Sequence, residues 1–356
     1  MSVFFNSVRI RNFKSLKDVT LPDCKRINVL IGKPNVGKSN ILEAIGLFSL
    51  PYVKYNKGKK LTQFVKLENI EEMFFDASIH TDIQIDVDDG SYCIAKYNQE
   101  TNLTEIEINL ENQKVTYELY GNLPSVEMPT SEGHTLNIDN KLSIFHPYKK
   151  RDYPSPKVRC FKFPHSFSTK EQDPLIKIAG LIPPHGINLF DMAQKDPLKQ
   201  ELSKLFQEYR LKLLFDKTSH TLRIVKELDD NSLVSLPFNS MADTLQRIVF
   251  FKAAIASNTD SILLFEEPEA HCFPPYITHI TQEVIAAQTN QFFIATHSPY
   301  VLNAFLEQSR EELAIFIVDY RDGQTVINRL TDTELNEVYD YGIDVFFNYE
   351  RFTQHG

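Results

Sequence analysis

The sequence predicts an α/β fold, and three segments support this prediction. Residues 27–31 (INVLI) form a short apolar run, typical of a buried parallel strand, and a glycine-rich turn and a helical pattern over 38–48 follow it. Two further apolar runs, over 261–265 and 292–296, lie in the last third of the chain, and each leads into polar residues. Apolar strands that alternate with helical segments indicate an α/β core.

The middle of the chain has a different pattern. Residues 51–66 are basic and are predicted to be a loop. From 79 to 118 apolar and polar residues alternate, which predicts a meander of antiparallel strands. Residues 121–175 are rich in Pro, Ser and Gly and are predicted to be mostly loops. A helix is predicted over 197–215, and alternation returns at 221–236.

The most specific motif is GKPNVGKS at 32–39, which fits G-x-x-x-x-G-K-[ST] without a mismatch. Its glycines let the backbone fold tightly around phosphate, and the amides at the start of the following helix bind anions. Lys38 is predicted to reach the β- and γ-phosphates of ATP, and Ser39 to ligate Mg²⁺. The alternative is a chance match, but the strand and helix that the motif requires flank it. The sequence therefore predicts an Mg-ATP site.

Polar residues end the two later apolar runs. Glu266 and Glu267 follow the first run, and we expect Glu266 to orient Mg²⁺ through its water shell and Glu267 to act as general base on the attacking water. The alternative is an acidic turn after a buried strand. His297 follows the next run, where it could contact the γ-phosphate. A lone histidine more often has a structural role, but its position after the strand that follows Glu267 favours the phosphate contact.

These motifs resemble those of a known family. IRNFKSLKDVTL and INVLIGKPNVGKSNILEAI resemble the N-terminal lobe of the SMC/RecF/OLD-like branch of ABC-type P-loop ATPases, and LLFEEPEAH and FFIATHSPYVL resemble its C-terminal lobe. Within it, the short prokaryotic AAA-family members, many from phage-defence operons, are most similar. The resemblance implies an ABC-type ATPase domain built from 1–50 and 230–356, with a β-rich and helical lid insertion at 51–229. The sequence contains no sustained heptad repeat, so a long coiled coil is not expected.

The resemblance also implies roles for individual residues. The residues that match nucleotide-binding positions are Lys14, Gly32, Asn35, Val36, Gly37, Lys38, Ser39 and Asn40. Glu266, Glu267 and Glu269 match the acidic strand end. His297 matches the switch histidine. The signature segment, which in such proteins closes on the ATP held by the other subunit, corresponds to 239–247, with Ser240 and Asp243 expected to face the nucleotide.

The chain departs from the family pattern at several positions. Ala242 and Thr244 stand where the family usually has glycine, which suggests weak or partner-dependent hydrolysis. Phe273 stands where a second histidine is common. The glutamine that contacts Mg²⁺ in the family has no clear counterpart, and Gln63 and Asn69 are the two candidates.

Composition limits the classes of partner. The net charge is −9, so binding to nucleic acid would need a local basic patch. Two basic loops could supply one or could simply be solvated surface, and their residues are Lys54, Lys57, Lys59, Lys60, Lys149, Lys150, Arg151, Lys157 and Arg159. The four cysteines form no C-x-x-C pair. The sequence contains no apolar run of membrane-spanning length and no signal peptide, so we expect a cytoplasmic protein without a membrane partner.

The leading functional hypothesis is an ATPase that forms a homodimer around two ATP molecules and gates a separate effector, a nuclease or toxin, in anti-phage defence or the response to DNA damage. The effector is expected to be separate because the segment after His297 is too short for the nuclease domain of OLD-type proteins. One alternative is a RecF-like DNA-repair ATPase. The non-enzymatic alternative is an ATP-locked scaffold with negligible turnover.

Overall fold

The computed structural model describes residues 4–55, 60–101, 103–110, 112–120, 127–129, 135–137, 144–145, 156–167, 178–230 and 232–353. In chain order its strands are β1 (Val8–Phe13), β2 (Leu16–Leu21), β3 (Ile27–Ile31), β4 (Ile83–Val87), β5 (Tyr92–Asn98), β6 (Leu103–Leu110), β7 (Gln113–Tyr120), β8 (Glu127–Pro129), β9 (Thr135–Asn137), β10 (Ile144–Phe145), β11 (Val158–Phe161), β12 (Leu211–Asp216), β13 (Thr221–Glu227), β14 (Leu233–Pro237), β15 (Ile262–Glu266), β16 (Gln291–Ala295), β17 (Leu313–Arg321) and β18 (Gln324–Arg329). Its α-helices are α1 (Lys38–Gly46), α2 (Leu189–Ala193), α3 (Leu198–Glu208), α4 (Asp243–Ala256), α5 (Pro274–Ala286), α6 (Pro299–Ser309) and α7 (Asp332–Asp340).

A six-stranded sheet, in the order β11-β15-β16-β3-β17-β18, forms the centre of the molecule. All neighbouring strands in it are parallel except β17 and β18, which pair as a hairpin. The three predicted apolar strands are β3, β15 and β16, which lie side by side. The predicted α/β fold is therefore confirmed.

A second sheet has seven strands in the order β10-β7-β6-β5-β4-β1-β2. The meander predicted over 79–118 is found as β4 to β7. It does not stand apart from the N-terminal strands, because β4 pairs with β1, with Ile85 opposite Ile10. The range 51–229, which the sequence analysis assigns to a lid insertion, also contains β11, and this strand joins the central sheet beside β15. Only four residues long, β11 has too few positions to show a pattern in a proline-rich segment.

The central sheet is covered on both faces, because successive side chains of a strand point to opposite sides. On one face, Leu30 and Leu264 pack with α1 and with the inner side of the seven-stranded sheet. On the other face, Val29 and Leu263 pack with α4, α5 and α6. This sandwich places the carboxyl ends of β3, β15 and β16 at one edge, where the site residues lie.

Two local predictions were wrong. The helix predicted over 197–215 ends at Glu208, and 211–216 form β12, which pairs with β13. Arg210 has a φ of 55°, which ends the helix, and Leu211, Leu213 and Phe215 then share one face of a strand. The segment 51–66, predicted to be a loop, contains 3-10 turns, and Tyr52 within it is fully buried.

The longest helix among the described residues is α4, with 14 residues. Across the same residues, no helix combines the length and apolar character that a membrane span requires.

Candidate nucleotide-binding site

The glycine-rich loop between β3 and α1 is shaped by the hairpin behind it. Gly37 has a φ of 105°, and a Cβ there would lie 2.2 Å from the hydroxyl oxygen of Thr325 on β18. A Cβ on Gly32 would lie 2.2 Å from a backbone oxygen of β17. The Thr325 hydroxyl also donates to the carbonyl of Val36 at 2.9 Å, and Asn35 is left-handed, with a φ of 63°. Only glycine fits at both positions, so β17 and β18 fix the loop conformation.

Lys38 begins α1, and its side chain folds back over the loop. Its Nζ donates to the carbonyl oxygens of Gly32 and Lys33, each at 2.8 Å. Burial lowers the pKa of Lys38 to about 8, although Glu267 and Glu266 act in the opposite direction. Nearby negative charge therefore compensates the buried ammonium only in part, and an anionic ligand at the loop would stabilise its charged form.

The side-chain oxygens of Ser39 and Glu266 lie next to each other. The Ser39 hydroxyl donates to Glu266 Oε1 at 2.5 Å, and Lys66 Nζ lies 3.0 Å from the same oxygen and 3.2 Å from Oε2. Burial alone would raise the pKa of Glu266, but the bonds from Ser39 and Lys66 outweigh it and lower that pKa. The carboxyl group is therefore ionised at neutral pH.

Glu267 lies in the turn after β15, and its backbone has a φ of 44°. Its side chain is 45 % exposed, and Oε1 lies 3.6 Å from Nε2 of His297. Burial and the nearby charge of Lys38 lower the pKa of His297, so the imidazole is neutral at pH 7. Glu267 can therefore contact water directly, with a neutral imidazole beside it.

Glu269 lies behind this pair and supports the end of β16. It is 7 % exposed and accepts hydrogen bonds from the Thr296 hydroxyl and, at 3.3 Å, from the His297 backbone N–H. Burial raises the pKa of Glu269. Its contacts thus hold the backbone that carries His297.

Lys14 and Asn40 contact protein groups close to the loop. Lys14 Nζ donates to Glu43 Oε2 at 2.6 Å and to the carbonyl of Lys66 at 2.6 Å. The Asn40 side-chain amide donates to Ser15 Oγ at 2.7 Å. Both residues thus hold together the protein segments around the loop. The resemblance implied contacts with the nucleotide and did not indicate this supporting role.

The segment expected to be the signature contacts the acidic turn of its own chain. Ser240 is exposed, and Asp243 at the start of α4 accepts from Arg247 Nε at 2.8 Å. Arg247 Nη1 also donates to the carbonyl of Glu267 at 3.3 Å. Through Arg247, the first turn of α4 is therefore linked to the backbone of Glu267.

The departures from the family pattern have defined positions in the structure. Thr244 directs its hydroxyl to the carbonyl of His271 at 2.9 Å, so this side chain packs against its own chain. Ala242 precedes α4, and Phe273 is 64 % exposed. Asn69, a candidate for the missing glutamine, donates instead to Glu72.

The sequence analysis missed four residues that support the site, namely Glu43, Lys66, Lys162 and Thr325. It included Arg247 in the signature segment but did not predict its contact with Glu267. One signal was available for Glu43, which is four residues after Ser39 and so lies on the same face of α1. The others reach the site through the tertiary fold. Several residues of the predicted basic loops lie outside the described residues, namely Lys57, Lys59, Lys149, Lys150 and Arg151.

A phosphate-binding loop follows one parallel strand, β3, and a histidine and carboxylates follow the next two strands in the sheet, β16 and β15. This arrangement defines a P-loop nucleotide-binding protein of the ABC type. Residues 4–228 match the model of the AAA ATPase domain family, which is more than half of the chain. The chain belongs to this family, and ATP binding is a property that the family implies.

Two comparisons support the same class. Over 73 residues the chain is 34 % identical to the DNA replication and repair protein RecF of Caldanaerobacter subterraneus subsp. tengcongensis, a stretch that covers 20 % of this chain and 19 % of RecF. The Smc head domain of Pyrococcus furiosus, solved with an extended coiled coil and bound to the C-terminal domain of ScpA, has the same fold: the TM-score is 0.52 at 12 % identity, covering 95 % of this chain and 99 % of that one. The resemblance to SMC/RecF-like ABC-type P-loop ATPases is confirmed.

Proposed function

We propose that this protein binds Mg-ATP and hydrolyses it, with Glu267 as the general base. The observation that carries the proposal is that Lys38, Ser39, Glu266, Glu267 and His297 meet at one edge of the central sheet. They come from three separate parts of the sequence, and the fold joins them at the carboxyl ends of β3, β15 and β16.

Ser39 and Glu266 fit a magnesium ion. A hydroxyl and an ionised carboxylate are hard oxygen ligands of the kind that Mg²⁺ prefers, and this ion commonly completes its shell with water and substrate phosphates. Among the described residues no group of three or more His, Cys, Asp or Glu could hold a metal ion by itself. A site completed by ATP agrees with that finding. When bound, Mg²⁺ would neutralise charge on the phosphates.

The protein groups divide the remaining work. The Lys38 ammonium, buried and bonded only to carbonyl oxygens among the contacts described above, would turn to the phosphates. Glu267, half-exposed, would accept a proton from the attacking water. His297 is neutral and lies beside Glu267, so it could donate a hydrogen bond to the γ-phosphate or accept one from the attacking water.

We further propose that two copies close around ATP and that this closure controls a separate effector, a nuclease or toxin, in anti-phage defence or the DNA-damage response. The link from α4 through Arg247 to Glu267 supports the first part, because contact with a second copy at Ser240 and Asp243 would then reach the general base. The effector itself rests on the family resemblance.

The RecF match favours a second candidate, an ATPase that acts on DNA in repair. The scaffold alternative rests on the altered signature. Its support is weakened by Thr244, whose hydroxyl is bonded to its own chain and so is not directed outward to a partner's phosphate.

Steady-state phosphate release tests hydrolysis. The wild-type protein should release phosphate from Mg-ATP, and Lys38→Ala should lose tight ATP binding in calorimetry while its circular dichroism stays unchanged. Wild-type protein that binds ATP but releases no phosphate would leave the scaffold as the better account. Unchanged ATP affinity in Lys38→Ala would refute the site itself.

A further inference from the structure

Lys66 contacts the carboxylate that is expected to face the metal. Its ammonium lies 3.0 Å from Oε1 and 3.2 Å from Oε2 of Glu266, and Oε1 also accepts from Ser39. The lysine and a magnesium ion would therefore draw on the same oxygens. Two cations this close repel each other, so both cannot hold Glu266 in this way.

The backbone of Lys66 is fixed while its side chain can move. Its N–H donates to Glu43 Oε1 at 2.9 Å, and its carbonyl accepts from Lys14 Nζ at 2.6 Å. Glu43 is 2 % exposed, which makes this anchor rigid. The Lys66 side chain is 66 % exposed, so it can leave Glu266 for solvent without a backbone change.

Glu43 offers Lys66 little alternative. Its two oxygens already bind Lys14 Nζ at 2.6 Å and Lys162 Nζ at 3.0 Å. The ammonium of Lys66 is thus directed to Glu266, the carboxylate that Ser39 shares. This cluster contains three ammonium groups and two carboxylates, so it carries a net positive charge before any metal is added. Its members are Lys14, Lys66, Lys162, Glu43 and Glu266.

We propose that Lys66 is a built-in competitor of Mg²⁺: it holds Glu266 as a counter-ion, must release it when the metal binds, and thereby sets the Mg²⁺ concentration at which ATP is bound tightly. This inference rests on the proposed Mg-ATP site. It assigns a role to a residue that no motif in the sequence indicates.

The test is calorimetric titration of ATP at Mg²⁺ concentrations from zero, in EDTA, to saturation. Removing a competing charge of a partly exposed pair is worth about 1 kcal/mol, so Lys66→Gln should reach half-maximal ATP affinity at roughly fivefold less Mg²⁺ than wild type. Lys66→Arg, which keeps the charge, should resemble wild type. Mn²⁺ binding in the presence of ATP, followed by electron paramagnetic resonance, should show the same order.

A matched control comes from the surface. Lys212 also lies 3.0 Å from a glutamate, Glu227, and is 70 % exposed, but the pair is on the β12–β13 hairpin. Lys212→Gln should leave the Mg²⁺ midpoint unchanged.

The outcomes are distinct. Tight ATP binding by wild type with the same Mg²⁺ midpoint in Lys66→Gln would overturn the competition. Weaker ATP binding by Lys66→Gln at saturating Mg²⁺ would also overturn it, because Lys66 would then be a phosphate ligand. No ATP binding by wild type at any Mg²⁺ concentration would instead refute the proposed function, and the inference with it.

Discussion

Glu43→Gln should destabilise the fold far more than its single lost charge suggests. Glu43 lies on α1 and is 2 % exposed. Lys14 and Lys162 pair with it from two other segments, and each lysine side chain is only 12 % exposed. The substitution keeps the shape of the side chain but leaves two largely buried ammonium ions without their carboxylate.

The magnitude follows from these distances. At the 2.6 Å separation of Lys14 Nζ and Glu43 Oε2, the attraction is about 6 kcal/mol at an effective dielectric constant of about 20. Desolvation of the buried charges offsets much of this gain, and removing one partner of a buried pair typically costs about 3–5 kcal/mol. Because the two lysines recover some hydration, we expect a loss of about 3 kcal/mol in the free energy of unfolding.

Equilibrium unfolding in urea measures this loss as a lower midpoint at an unchanged slope. Asp18→Asn is the control, since Asp18 pairs with Arg9 at 2.7 Å but both side chains are about half exposed. Such a pair contributes less than about 1 kcal/mol. Equal losses in the two variants would refute the argument that burial, and not the ion pair itself, determines the cost.

Two further predictions concern thiol reactivity and assembly. Burial raises the pKa of Cys24 and Cys160 to about 12 and of Cys272 to about 11, and it also raises the pKa of Cys93. Because these thiols stay protonated at pH 8, native protein should react with a thiol reagent at least about tenfold more slowly than unfolded protein, and equal rates would contradict this burial. Glu267→Gln with Mg-ATP should show more dimer in mass measurements than without nucleotide. Adding Ser240→Arg should remove that response and preserve ATP binding, whereas a mass that ignores ATP in both variants would exclude a nucleotide-gated clamp. Ser240 is the better site for this change than Asp243, whose carboxylate holds Arg247.

The phosphate-binding loop and the strands beside it could be predicted because their signals are local. The loop is eight contiguous residues with a demanding pattern, and β3 and β16 are fully buried strands that read as apolar runs. The tips of β15 and β16 were predictable for the same reason, since their polar residues directly follow these runs.

The supporting residues could not be predicted, because tertiary contacts bring them together. Lys66 and Glu266 are 200 positions apart, and nothing near Lys66 distinguishes it from the other lysines of a basic segment. Thr325 reaches the loop from β18 in the same way. The predicted helix wrongly continued through 211–215 for a related reason. Leu, Lys and Phe suit both helix and strand, and pairing with β13 makes this segment a strand.

Glu267→Gln tests the central claim most directly. Mg-ATP binding, measured by calorimetry, should match that of wild type, because Lys38 and Ser39 are unchanged. The rate of phosphate release should fall on the order of 10²-fold or more, the usual scale for loss of a general base. Glu311→Gln, at an exposed carboxylate, serves as the control and should hydrolyse ATP normally. A Glu267→Gln protein that binds ATP and hydrolyses it at the wild-type rate would contradict the account.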